Sequence, residues 1–220
     1  PEERIVAVLG RDRQPTVTGT RVMVSLPKNS AHIERRVDVD QLETAGLLDL
    51  ADQYRMPVIL LSDAMTGQMM EGARFDHLKQ SEQPEKPWAL QGAAGRERNI
   101  IHSFYAAQED LEAFNQKQEK KYDYIQKTEC RFEEVNCEDA EYLLVAFGSC
   151  ARNAKEIVLD PPDQLKNRIG LFRPITLWPF PSNRIAKLAK NVKAILTVEM
   201  NAGQMIEDIR LATQSECPVH

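Results

Sequence analysis

EYLLVAFGSCARNAKEIVL, residues 141–159, decides the fold. After Glu141 comes a short apolar run, 142–147, aliphatic between Tyr142 and Phe147, which has strand length and reads as the first strand of a parallel sheet. Gly148 and Ser149 turn the chain, and a helix with an apolar stripe runs from about 150 to 159, where Pro161 and Pro162 stop it. The same alternation recurs downstream. A second strand spans 169–172, a helix capped by Ser182 carries Ile185, Leu188, Ala189 and Val192 on one stripe, and a third strand spans 194–198. The segment 201–203 opens a last helix reaching about Gln214, with Met205, Ile209 and Ala212 on its buried side, and Pro218 and Val219 hint at a fourth strand. Strands joined by single helices lie parallel through right-handed crossovers. The expected fold is therefore α/β, a doubly wound, mostly parallel sheet with helices on both faces.

Upstream, the apolar runs 4–9 and 21–26 are bounded by Gly10, Gly19 and Pro27 and read as strands. From 40 to 54, Leu47, Leu48, Leu50, Ala51 and Tyr54 recur at helical spacing. Pro57 then breaks the helix, and 58–61 is an aliphatic run expected to form a central parallel strand. Between 73 and 100 there is no sustained periodicity, and Pro84 and Pro87 bracket a charged stretch around Trp88, so this reads as an extended connection pinned by Trp88 and Leu90. A long amphipathic helix follows over 108–126, with Leu111, Phe114, Tyr122 and Ile125 on one face. The expected organisation is a partial α/β segment over 1–72, a linker with its long helix over 73–139, and the α/β domain over 140–220.

Composition narrows the functional classes. The 220 residues carry a net charge of −5, which argues against a nucleic-acid partner. No apolar run approaches the ~18 residues of a membrane span, and the charged start, without Met, reads as an excised or processed segment with no export signal. Cys130, Cys137, Cys150 and Cys217 form no CxxC pair and no cluster-like spacing, so they read as reduced thiols of a cytoplasmic protein. His77, His102 and His220 lack partners at metal-ligand spacing, and His32 lies in a polar segment. Ser149 has no GxSxG context, and Cys150 has no nearby histidine. Catalytic residues are therefore not expected on this chain.

Ligands of doubly wound sheets meet the loops at the carboxyl ends of the strands, so those loops hold the candidates. After the first strand, Gly148 and Ser149 open a helix whose free N–H groups suit an anion. There is no GxGxxG or GxxxxGK, and a tight turn with Ser149 as cap is the better reading. After the second, 171–181 interleaves Pro174, Pro179 and Pro181 with Trp178 and Phe180, either for docking or for internal packing. Arg173 is placed to bind a carboxylate or phosphate, or to pair with Glu199 or Asp208. After the third comes the run 198–205, which includes Glu199. Asn201 and Gly203 tolerate uncommon backbone angles there, and Gln204 in the first turn of the next helix faces whatever approaches the sheet, with a plain strand-to-helix turn as the other reading. Arg173, Trp178, Glu199, Asn201 and Gln204 are the candidate subunit-interface or anion contacts.

Two runs are more specific than this spacing. RIGLFRPITLWPFP, 168–181, and VEMNAGQMIEDIR, 198–210, resemble the C-terminal, transketolase-like domain of the alpha subunit of 2-oxoacid:ferredoxin oxidoreductases, the 2-ketoisovalerate type in particular. PWALQGAAGRERNIIHSFY, 87–105, is similar to that family's interdomain connection, and ADQYRMPVILLSDAMTGQMME, 51–71, to the end of its pyrimidine-binding domain. Residues 1–36 match nothing in the family. The resemblance implies a complex that uses thiamine diphosphate and magnesium to decarboxylate a 2-oxoacid oxidatively, forming an acyl-CoA and reducing ferredoxin. The cofactor would lie mainly on other segments and on a beta subunit, the iron–sulfur clusters on other subunits such as a ferredoxin-type subunit, and none on this chain alone. Homo-oligomer contacts are also expected. The family's cofactor-binding segment has no counterpart here, so no catalytic residue is carried over. Two alternatives stay open: an interaction or regulatory module on the same fold, and a homologue acting on another 2-oxoacid such as 2-oxoglutarate.

Overall fold

The structure, a computed structural model, describes residues 7–8, 44–61, 68, 86–89, 92, 94–98, 100–102, 104–214 and 216–220. The chain divides into two compact units between Ala113 and Phe114. In the first, β1 (Ala7–Val8) pairs antiparallel with β2 (Val58–Ile59), and α1 (Thr44–Tyr54) precedes β2. The helix ends at Arg55, in the left-handed region at φ 49°, and Met56 N–H donates to the Ala51 carbonyl. The expected central parallel strand over 58–61 is not what forms. Its described pairing is this short antiparallel ladder, and Ile59 and Leu61 are 57% and 48% exposed. An aliphatic run states hydrophobicity but not strand direction. Trp88 is pinned under the Arg55 guanidinium, 4.7 Å from its ring centre, and Lys86 pairs with Asp52. The expected strand at 21–26 and Leu90 lie outside the described residues.

The second unit holds the sheet. After α2 (Gln108–Thr128), the strands are β3 (Phe132–Val135), β4 (Tyr142–Ala146), β5 (Ile169–Pro174) and β6 (Ala194–Val198), in spatial order β3-β5-β4-β6. β4 runs parallel to both β5 and β6, with Leu144 opposite Leu171 and Leu196, while β3 is antiparallel to β5. The three strands read from the sequence therefore lie side by side. A parallel bridge from Ile195 to Val219 adds the hinted further pairing at the β6 edge. β3 was not legible as a strand, because its FEEV sequence buries little apolar surface of its own.

The helices α3 (Gly148–Leu159), α4 (Ser182–Ala189) and α5 (Met205–Thr213) cover the sheet, and a short 3-10 turn, Asp163–Leu165, follows the two prolines. From β4 the chain steps one way to β5, and from β5 it crosses back over β4 to β6. Right-handed crossovers in opposite directions put their helices on opposite faces. The core follows this division. Leu143, Val145, Phe172 and Ile195 pack with Ile185, Leu188, Met205 and Ile209 of α4 and α5, while Ala146, Ile169 and Leu171 pack with Ala151, Ala154 and Val158 of α3. Neighbouring strand residues alternate between the two clusters, as a pleated strand requires.

Two caps differ from expectation. α3 begins at Gly148 with Phe147 as N-cap, and α4 begins at Ser182 with Pro181 as N-cap; neither Ser149 nor Ser182 caps its helix through its side chain. Gly148 at φ 57° and the fixed ring of Pro181 shape these starts through the backbone.

The connection from β3 to β4 crosses β5 at Gly170. A Cβ there would lie 2.6 Å from the Asn136 carbonyl oxygen and 3.0 Å from Cys137 Cα, so only glycine fits. At the amino ends of the parallel strands, Glu141 accepts from Arg168 Nη2 at 3.0 Å and Lys193 Nζ at 2.6 Å. Hydrogen bonds from Arg168 and Lys193 hold the Glu141 carboxyl well below its ordinary range, down to about 2.

Two outcomes follow. Gly170→Ala forces two backbone segments apart and lowers stability by roughly 1–3 kcal/mol in urea unfolding. The Glu141 contribution is present above the ordinary glutamate pKa of about 4.3 and is lost as pH falls towards its folded value. Glu141→Gln should therefore melt below the parent at pH 7, with the gap closing in melts recorded as the pH approaches about 2.

Candidate functional site

The carboxyl ends of β5, β4 and β6 carry three neighbouring loops. After β4, the extended Phe147 leads into α3, and Ala151 N–H closes the first turn on the Phe147 carbonyl at 3.3 Å. Ser149 Oγ is buried with no hydrogen-bond partner, and so is Thr197 Oγ1 on β6. Both hydroxyls lie towards the same end of the sheet.

After β5, the loop is fixed by its own polar groups. Thr176 Oγ1 donates to the Pro179 carbonyl at 2.8 Å and accepts from Arg131 N–H at 3.0 Å, and the peptide between Trp178 and Pro179 is cis. The two aromatic side chains part company. Phe180 packs against the α4/α5 core, whereas Trp178 stays 51% exposed and stands edge-on to Tyr122 at 5.7 Å. Of the two roles open in the sequence, internal packing holds for Phe180, and Trp178 is the aromatic left exposed.

Arg173 faces inward from β5. It is 8% exposed and pairs with Glu133, directly opposite on β3, and not with Glu199 or Asp208. The opposite partner lay on a strand that the sequence did not reveal. Lys155 of α3 donates to the same carboxylate at 2.5 Å, and burial lowers the Arg173 pKa to about 10.

After β6, the chain supplies its own anion to a helix start. The Glu199 carboxylate accepts Met205 N–H at 3.0 Å and Ile206 N–H at 3.2 Å, and Asn201 Oδ1 accepts Gly203 N–H at 2.8 Å and Gln204 N–H at 3.2 Å. Burial opposes ionisation of Glu199, yet the N–H groups of Met205 and Ile206, with Asn201 and Gln204, outweigh it and hold the carboxyl below its ordinary range. Gly203 at φ 93° closes the turn. Gln204 is the N-cap residue of α5 and is exposed, with no capping bond from its side chain. Met200, which the sequence reading passed over, is 65% exposed at the tip. The structure therefore brings Glu199, Asn201 and Gln204 together around one helix start and leaves Trp178 on a separate loop.

Thiamine diphosphate with magnesium does not fit the residues described. Among them, no three His, Cys, Asp or Glu side chains converge as metal ligands, and Glu199 already fills the α5 N-terminus. Three of the four thiols sit where burial disfavours the thiolate. Cys137 donates to the Leu171 carbonyl at 3.0 Å and is pushed up to about 11 by burial, and burial also raises Cys130 and Cys217. Among the described residues, no helix is long and apolar enough to cross a membrane.

Residues 140–220 match the pyruvate:ferredoxin oxidoreductase core domain II family. The resemblance to 2-oxoacid:ferredoxin oxidoreductases carried by the motifs at 168–181 and 198–210 holds for a larger part of the chain. It is 42% identical over 170 residues to the ketoisovalerate oxidoreductase subunit VorB of Methanothermobacter marburgensis, covering 77% of this chain and 48% of that protein. The VorB subunit of Methanothermobacter thermautotrophicus is 41% identical with the same coverage, and the 2-oxoglutarate synthase subunit KorA of Archaeoglobus fulgidus is 28% identical over 76% of this chain and 48% of its own length. The chain spans about half the length of these curated relatives. A solved structure, the 2-oxoglutarate:ferredoxin oxidoreductase from Magnetococcus marinus with 2-oxoglutarate, coenzyme A and succinyl-CoA bound, superposes with a TM-score of 0.56 at 19% identity, covering 83% of this chain and 37% of that one. At that identity it supports the fold, a mixed, mostly parallel open sheet with flanking helices.

The self-made cap is testable. Glu199→Ala leaves the Met205 and Ile206 N–H groups without their acceptor and costs about 1–2 kcal/mol in urea unfolding, while Glu199→Gln, which keeps one acceptor oxygen, recovers part of the loss.

Proposed function

We propose that this chain is part of the alpha subunit of a cytoplasmic 2-oxoacid:ferredoxin oxidoreductase of the 2-ketoisovalerate type. The assembled complex converts the 2-oxoacid and coenzyme A into an acyl-CoA and carbon dioxide and passes the electrons to ferredoxin. The observation that carries this reading is the identity of 42% and 41% to two ketoisovalerate oxidoreductase subunits, against 28% to the Archaeoglobus 2-oxoglutarate synthase subunit. Thiamine diphosphate and magnesium are held by other segments and by a beta subunit, and the iron–sulfur clusters by further subunits, including a ferredoxin-type one.

The chain's own contribution is to organise subunits. Its sheet rim offers Trp178 and Met200 as exposed apolar contacts on loops that internal hydrogen bonds hold in place, so little conformational entropy is lost when a neighbouring subunit docks. Glu199 and Asn201 act in this through the backbone they fix, and Arg173 through the strand it anchors. Contacts between copies of the chain complete the assembly.

Co-expression with a beta subunit and a ferredoxin-type subunit should give viologen reduction dependent on coenzyme A and faster with 2-ketoisovalerate than with 2-oxoglutarate. The chain alone should show neither turnover nor micromolar binding of thiamine diphosphate and magnesium in calorimetry. A preference for 2-oxoglutarate overturns the substrate assignment, and tight cofactor binding by the isolated chain overturns its non-catalytic role. Trp178→Ala should weaken association with the beta subunit by about tenfold in a binding titration, consistent with loss of one exposed aromatic contact. An unchanged affinity removes Trp178 from the interface.

A further inference from the structure

We draw no further inference here: the strongest candidate, the exposed apolar side chains of Leu196 on β6 and Met200 just beyond it, forms a surface patch for which nothing in the structure shows what covers it.

Discussion

β5 is buried from end to end and carries an arginine in its last turn of pleat, and the second unit is arranged around that combination. A guanidinium so far from water needs a carboxylate within reach, and the strand that supplies it must lie next to β5. β3 does so with consecutive glutamates. Because successive side chains of a strand point to opposite faces, Glu133 meets Arg173 and Lys155 of α3 on one side. Glu134 takes both Nε and Nη2 of Arg184 on α4 at 2.6 and 2.8 Å on the other. One short strand thus ties both helical layers to the sheet. Leaving a buried charge of this kind without its partner costs on the order of 3–5 kcal/mol, so β3 matters to the fold through its charges rather than its apolar surface.

The same economy of charge shapes the carboxyl rim. A helix start attracts anions from solution or from a ligand, and α5 meets that demand with Glu199, six and seven residues ahead of the N–H groups it accepts. What remains accessible around these loops is mixed: Trp178 and Met200 are exposed, and so are Asn201, Gln204 and the acidic Glu207 and Asp208 of the first turn of α5. A helix start filled by one carboxylate and flanked by two more is poorly suited to the capture of a phosphate.

Much of this was legible in the sequence because aliphatic runs and helical stripes state burial directly. The runs at β4, β5 and β6 and the stripes of α4 and α5 needed no tertiary information, since β4 and β5 are buried along most of their length, β6 buries Ile195, and each helix buries one stripe. The antiparallel strand was hidden because Glu133 and Glu134 are bought into the sheet by partners 40 and 50 residues away, and no local pattern announces such a pairing. The caps were misread for a related reason: Ser149 and Ser182 are good capping residues by type, but Gly148 and Pro181 had already fixed the backbone one residue earlier. At the rim, the residues singled out around 199–204 do cluster, while their use as internal acceptors depends on loop geometry that composition does not encode.

The outer border of β6 is already occupied. Ile195 and Thr197 donate to the carbonyls of Pro218 and His220, and His220 donates back to Ile195. The segment 218–220 thus takes the ladder positions of β6 itself. Direct pairing of a foreign strand with β6 at Ile195 and Thr197 is therefore blocked, which removes one of the bare borders through which sheets of separate molecules fuse.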